Sequence, residues 1–410
     1  MTHILIVGKK FSGLSNKILE KGYTYTVLQD RLATKTPDAK LKNRVVTDFS
    51  NIDFILSSVD ELNRTKKIDA VITVYESYIL PTTQIGQHLG VAHLPIDAAE
   101  ACTDKFLMRS LFAKAPEKIS PGFDIVSSKE DLINFANSHS FPLILKPANL
   151  AKSLLVTKSD TLEELLDNYA KSMQNIQSVY QEYAPNRTPK LIVEEYLDGH
   201  IHSVDAFIDS EGNPFILNEI VDYQTGYDIG YHDNFHYSRI LPSKLSQADQ
   251  DALRHCAEIG ARALGMKNSP AHIEIIVTKD GPRIVEIGAR NGGYRERMHR
   301  LANDIDILGS ALDLALGITP RIVAKSNNPV AVLELFPKNP GNFVGVHNES
   351  ELRQLPSLEY LSIKPTTGKF VGKAGDGYKM CAVVILANKD TEQFNKDLEF
   401  VNSSVFIETA

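Results

Sequence analysis

The stretch 271–294, AHIEIIVTKDGPRIVEIGARNGGY, reads as two apolar strands joined at Lys279-Asp280-Gly281-Pro282 and followed by a glycine-rich loop. Asp-Gly between alternating apolar runs is a hairpin signal. Each strand carries one carboxylate, Glu274 in the first and Glu286 in the second. A turn at 280–281 brings the two roughly opposite, on one face. A carboxylate inside an apolar strand is costly unless something positive meets it. Two convergent carboxylates suit a hard cation, and Mg²⁺ is commonly held by one or two of them together with substrate phosphates. Arg290 follows four residues after Glu286, and its guanidinium suits a bidentate contact with a carboxylate or phosphate. Read alone, the stretch is also compatible with a surface hairpin bearing two salt-bridged glutamates.

The rest of the chain supplies the context. At 410 residues it exceeds what one core organises, so two or three domains are expected. Hydrophobic residues make up 43% and charged residues 23%, ordinary values for a globular protein. The net charge of −7 argues against a nucleic-acid binder held by phosphate contacts. Cys102, Cys256 and Cys381 are far apart and form no CxxC, which fits a reducing compartment and no zinc site. The opening MTHILIVGKKFSG enters a strand at once, and no apolar run approaches the ~20 residues of a membrane span. A cytoplasmic location follows as an expectation.

Residues 3–8, a helix through Lys21, a strand near 24–29, a helix over 53–65, the apolar run from Ile68 and a helix over 82–89 alternate as in a parallel α/β sheet. Its first turn, GKKFSG, matches neither GxGxxG nor a Walker A loop, so this unit reads as a scaffold. Glu76 follows a strand at its carboxyl end, where open α/β sheets place ligands. Further on, Lys105 opens a helix behind Thr103-Asp104, and Lys146 ends the strand PLILK. The loop 148–153, with Leu150, Lys152 and Ser153, offers backbone N–H groups and a hydroxyl to an anion. Glu194-Glu195-Tyr196-Leu197 ends a strand whose backbone could pair with the edge of a base. The segment 222–242 shows little apolar periodicity and reads as a long loop. It holds His232 and His236, the two candidate proton-transfer groups. After 329 a smaller domain of buried strands and helices follows, with no charge constellation.

Five elements in this order, DKFLMR (104–109), PLILKP (142–147), VEEYLDG (193–199), HIEII (272–276) and VEIGARNGG (285–293), resemble the ATP-grasp superfamily. Within it they are similar to the carboxylate–amine ligases typified by bacterial L-amino-acid ligases. The resemblance implies an α/β fold, α+β in part. It implies a Rossmann-like domain over 1–95, an ATP-grasp domain over 96–320 with subdomains 96–190 and 191–320, and a C-terminal α+β domain over 321–410. It implies ATP and Mg²⁺, with Mn²⁺ as an alternative ion. Lys105 and Lys146 would touch phosphates, Leu150, Lys152 and Ser153 would cover them, and Glu194, Glu195, Tyr196 and Leu197 would form the adenine hinge. Glu274 and Glu286 would hold the metal. Arg290 would clamp the carboxylate and its acyl phosphate beside Asn291, Gly292, Gly293 and Tyr294. Glu76 and His232 would face the substrates, and a base such as His232 would take the amine proton, with His236 the other candidate. Implied partners are small carboxylates and amines, amino acids first, with no nucleic acid or membrane and with a homodimer allowed. Two positions depart from the pattern of many relatives: Ile201 stands where a ribose-side glutamate is common, and Gly288 where an asparagine is common. A biotin- or purine-type carboxylase on the same scaffold, or a non-catalytic ATP-binding protein, are the alternatives.

Overall fold

The structure, a computed structural model, describes residues 1–31, 43–150, 154–184, 187–233 and 235–410. The first sheet comprises β1 (His3–Gly8), β2 (Thr24–Asp30), β3 (Arg44–Thr47) and β4 (Ala70–Ile72), all parallel, in the order β3-β2-β1-β4. Every residue of β1 is buried, as befits a central parallel strand covered on both faces. The cover comes from α1 (Ser12–Glu20) on one side, and from α2 (Ile52–Thr65) and α3 (Ile79–Leu89) on the other. α3 ends at Gly90, whose φ of 67° is the left-handed conformation that favours glycine at a helix end. Past β4 a single 3₁₀ turn begins at Glu76.

Next come α4 (Ile96–Thr103) and α5 (Lys105–Phe112). The Asp104 side chain caps α5 by accepting from the Phe106 and Leu107 N–H groups. A second sheet of β5 (Phe123–Val126), β6 (Leu143–Pro147), β7 (Thr157–Ser159) and β8 (Leu191–Glu195) is antiparallel, in the order β5-β8-β6-β7. α6 (Lys129–Ser138) and α7 (Leu162–Tyr183) bury Leu132, Phe135, Leu165 and Ile176 against Leu143, Leu145 and Val193 of this sheet.

The third sheet begins with β9 (His200–Ile208), β10 (Pro214–Thr225), β11 (His236–Leu241), β12 (Ser269–Thr278) and β13 (Gly281–Gly288). Then follow β14 (Val330–Leu335), β15 (Gly341–Val346), β16 (Leu358–Ile363), β17 (Phe370–Val371), β18 (Ala382–Ala387) and β19 (Ile407–Thr409). The eight-stranded order is β13-β12-β9-β10-β11-β14-β18-β16, and β17-β15-β19 form a small separate sheet. Thus β14, β16 and β18, from the part of the chain expected to stand apart after 321, continue the large sheet.

α8 (Gln247–Ala263) covers one face of this sheet, and α9 (Arg295–Asn303) lies on the other. Gly260 of α8 allows the close approach, since a Cβ there would lie 2.4 Å from Ile284 Cδ1. α10 (Ile307–Ala315) packs on the first sheet, while α11 (Glu349–Leu352) and α12 (Thr391–Ser404) serve the C-terminal core.

Two departures from the sequence reading matter. The irregular segment expected over 222–242 is shorter than that, because β10 reaches Thr225 and β11 starts at His236. α9 was not anticipated. Its charged sequence, RERMHRLAN, hides a buried stripe of Arg295, Met298, His299 and Ala302 at helical spacing.

Candidate active site

The glutamate pair sits where two sheets face each other. Glu274 pairs with Glu286 in the ladder, but Ile275 pairs with Ile284, so Val285 is an extra residue. This bulge sets the geometry. Without it, Glu274 would oppose Val285 and Glu286 would drop out of the pair. Ile284 and Ile287, three apart, both face α8 because of it. The Val285 carbonyl accepts from Arg109 Nη2 at 2.7 Å. Arg109 is fully buried, and its Nε lies 3.0 Å from Glu194 Oε1. One guanidinium on α5 thereby ties the second sheet to the third.

Like charges directly opposite in a ladder repel. Cationic groups around the pair offset this here. Lys105 Nζ lies 3.0 Å from Glu286 Oε2 and donates to the Leu150 carbonyl at 3.2 Å. The Lys105 ammonium holds the Glu286 carboxyl below the usual range, against burial and the neighbouring Glu274. Behind Glu274 runs a buried chain: His272 Nε2 at 3.6 Å, Asp205 on His272 Nδ1 at 2.8 Å, and Arg295 Nε on Asp205 at 3.0 Å. Burial alone would lower the His272 imidazole, but Tyr223, Asp205 and Glu274 push it up to about 10. Burial pushes the Glu274 carboxyl up, yet the His272 bond and the charges of His236, His272 and Arg290 hold it well below the usual range. Arg295 also donates to Ser203 Oγ at 2.8 Å and to the Tyr223 hydroxyl at 2.5 Å. His272, Asp205 and Arg295 were missed in the sequence. The signal was there: His272 stands two residues before Glu274, on the same face of the strand.

Arg290 Nε lies 2.7 Å from Glu76 Oε2, so the loop after β13 meets the turn after β4. Burial raises the Glu76 carboxyl, against the pull of Arg290. Gly288 makes room for it, since a Cβ there would lie 3.1 Å from Glu76 Oε2. Gly292 is required more strictly, because a Cβ would lie 2.5 Å from His272 Nδ1 and 2.7 Å from Arg295 Cγ. Asn291 accepts from Arg290 Nη1 through its carbonyl, and Gly293 is exposed. Tyr294 has φ 63°, a left-handed conformation uncommon for a bulky side chain and one that clusters at functional sites.

On the second sheet, Lys146 Nζ lies 2.6 Å from Glu194 Oε2, and burial lowers Lys146 to about 8 despite that partner. The Glu194 side chain points inward to Arg109 and Lys146, whereas the Glu195 carboxylate turns outward to the Gly122 N–H at 2.6 Å. Tyr196 N–H bonds the Pro142 carbonyl at 3.3 Å, and the Leu197 N–H has no partner among the described residues. Leu150 is buried in the core of this sheet. Lys152 and Ser153 lie outside the described residues.

The two histidines separate. His232 is exposed, and no hydrogen bond or ion pair involves it among the described residues. His236 lies edge-on to Tyr223 at 4.7 Å, and the charges of Glu274, Arg239 and Glu334 act on it. Burial lowers its imidazole from the ordinary histidine value. A second bulge explains the placement. Gln224 pairs with Ser238 but Thr225 with His236, so Tyr237 is the extra residue. His236 therefore shares a face with Tyr223 and Arg239, while Tyr237 joins the C-terminal core. Of the two histidines, His236 is the one on which the Glu274 carboxylate acts.

The same face reaches the C-terminal strands. Glu334 of β14 accepts from the Tyr294 hydroxyl at 2.7 Å and lies 3.3 Å from Arg239. This corrects the expectation that the C-terminal part contributes no charge to the site. A carboxylate inside VAVLELF was the same signal as Glu274 inside its strand.

Residues 139–296 match the ATP-grasp domain family. The chain is 28% identical over 303 residues to the alanine–anticapsin ligase of Bacillus subtilis, covering 68% of this chain and 61% of that ligase. It spans about three-fifths of the length of that relative. Its fold superposes on the L-amino acid ligase from Bacillus licheniformis with a TM-score of 0.79 at 17% identity, covering 100% of this chain and 99% of that one. It superposes on N5-carboxyaminoimidazole ribonucleotide synthetase from Thermotoga maritima with a TM-score of 0.69 at 15% identity, covering 100% of both chains. The paired glutamates, Lys146 and the hinge strand lie within the segment that matches the ATP-grasp domain family, and the whole chain shares the fold of the L-amino acid ligase from Bacillus licheniformis.

Proposed function

We propose that the protein joins the carboxylate of one amino acid to the amine of another, through an acyl phosphate, with release of ADP and inorganic phosphate. The observation that carries the reading is the Glu274–Glu286 pair, set opposite by a bulge, with Lys105 on Glu286 and the Arg290–Glu76 pair nearby. The donor set fits Mg²⁺. Two carboxylates, 16% and 36% exposed, converge from adjacent strands. No group of three or more His, Cys, Asp or Glu among the described residues could cage an ion alone. Such a pair suits an ion that arrives with nucleotide phosphates. When bound there it would neutralise the phosphates and polarise the transferring group.

The chain's own residues then divide the work. Lys105, paired with Glu286 of the third sheet, and Lys146, paired with Glu194 of the second, would take phosphate oxygens in exchange for these carboxylate partners. The Glu195 and Leu197 backbone at the end of β8 would meet the adenine edge. An oxygen of the acid substrate attacks the γ-phosphorus, and the bond from phosphorus to ADP breaks, a step catalysed mainly by positioning and charge neutralisation. Arg290 would hold the resulting acyl phosphate and its developing oxyanion. Glu76, half-buried against Arg290, would meet the ammonium of the acid substrate. The amine nitrogen of the second substrate bonds to the acyl carbon, the carbon–oxygen bond to phosphate breaks, and His236 takes the amine proton. Burial favours the neutral imidazole that this role needs.

The test is a phosphate-release screen over amino acids singly and in pairs, with mass detection of products. Phosphate that requires a pair, with a product lighter than the sum of the two acids by one water, supports the reading. Bicarbonate-dependent phosphate release without an amide product would instead support a carboxylase.

A further inference from the structure

Beyond His236 the site face continues, and its next group is a cation. Arg239 is 13% exposed at its side chain and lies between two aromatic rings, its guanidinium carbon 5.6 Å from the Tyr223 ring centre and 5.4 Å from that of Tyr294. Both distances are within the range of cation–π attraction. The rings fix the plane of the fork without occupying its N–H groups. Its polar contacts are long: Nη1 reaches the His236 carbonyl at 3.3 Å, and Nη2 reaches Glu334 Oε2 at 3.3 Å. Charge-assisted bonds usually close to about 2.7–2.9 Å. The Nε–H has no partner among the described residues. The opposing carboxylate is itself engaged, since Glu334 Oε1 accepts from the Tyr294 hydroxyl.

We propose that Arg239 binds the α-carboxylate of the amine substrate, so that the enzyme selects free α-amino acids over amines that lack a carboxylate. This rests on the ligase reading above. The argument is one of spacing. In an α-amino acid a single carbon separates the attacking nitrogen from the carboxylate. The group that takes the amine proton and the cation that holds the carboxylate must therefore be neighbours. His236 and Arg239 are such neighbours, placed on one face by the Tyr237 bulge. Arg290 would hold the acid substrate, and Arg239 the amine substrate, so the two carboxylates of a dipeptide-forming reaction meet different cations.

The experiment compares amines on the whole protein, with the acid substrate from the screen held saturating. An α-amino acid, its carboxamide and its decarboxylated amine serve as acceptors, and hydroxylamine serves as a carboxylate-free trap that reports donor activation by hydroxamate formation. The expected result is a kcat/KM at least about 100-fold higher for the amino acid than for its carboxamide, the weight of a charge-assisted bidentate contact. Arg239→Gln should collapse that ratio to within a few-fold of one. Because that change leaves Glu334 facing no cation, the paired variant Arg239→Gln/Glu334→Gln is measured beside it. Equal use of amino acid and carboxamide by the unaltered protein overturns the proposal. A ratio that survives in both variants does so too. Failure of the unaltered protein to form any hydroxamate from any carboxylic acid would instead overturn the underlying ligase reading.

Discussion

The hairpin of β12 and β13 and the hairpin of β10 and β11 are built alike. Each is antiparallel, each carries one bulge, and each bulge brings a polar group onto the same face of one sheet. In the first the extra residue is Val285, and the group brought into line is Glu286. In the second it is Tyr237, and the group is His236. They differ in what surrounds the polar group. Glu286 lies in an apolar strand with a tight Asp-Gly turn, while His236 begins a strand rich in polar residues with no such turn before it. The first hairpin announces itself because burying a bare carboxylate costs so much that it must have a purpose. A histidine can be neutral and costs far less, so the second hairpin carries no comparable signal.

The largest effect should come from the first hairpin. Glu286→Gln or Glu274→Gln should lower substrate-dependent ADP release by about 10³-fold or more, the scale of a lost charge clamp in phosphoryl transfer. Circular dichroism should show the fold retained, and chelation of divalent ions should abolish activity in the unaltered protein until Mg²⁺ is restored. Turnover within ten-fold of normal in either variant would break the assignment.

Next comes the second hairpin. His236→Asn should slow amide formation by about 10²–10⁴-fold, the contribution of a positioned general base. His232→Asn, at an exposed position, should change it less than two-fold. The reverse order would return the role to the loop. The pH profile sharpens this. Burial lowers the His236 imidazole below its ordinary 6.5, so the neutral form persists into mildly acidic solution. The rate should therefore fall only as pH drops through a value below 6.5, and that acid limb should vanish in His236→Asn.

The smallest effect concerns the bulged residue itself. The Tyr237 hydroxyl donates to Asn402 Oδ1 at 3.0 Å in the C-terminal core. Tyr237→Phe should lower stability by about 1 kcal/mol, the value of one such bond, with kcat within two-fold of normal. A large loss of kcat would show that Tyr237 faces the site after all.

Much of the scaffold was legible because its elements obey simple periods. HILIVG, VITV and the helices closing at Gly90 and Gly265 follow from apolar runs and cap residues. The metal-type pair was legible for the same reason. What escaped were features that break a period or span long distances in sequence. A bulge shifts register by one residue, and no local pattern marks Val285 or Tyr237 as the extra one. α9 hid behind its charge, since its buried arginine is neutralised by Asp205, ninety residues away. Glu334 lay in a stretch read as structural, at most a wall of the site, although its apolar setting matched that of Glu274. Arg109 showed only as part of a helix, and its bonds to Glu194 and to the Val285 carbonyl emerge only when two sheets are brought together.

The central claim is that a carboxylate is activated by phosphoryl transfer at the Glu274–Glu286 pair. The most direct measurement uses the acid substrate from the screen, labelled with ¹⁸O in its carboxylate, with mass analysis of the phosphate released as the amide forms. The account predicts one ¹⁸O in each inorganic phosphate, ADP as the only nucleotide product, and loss of both in Glu286→Gln. Unlabelled phosphate, or AMP with pyrophosphate carrying the reaction, would contradict it.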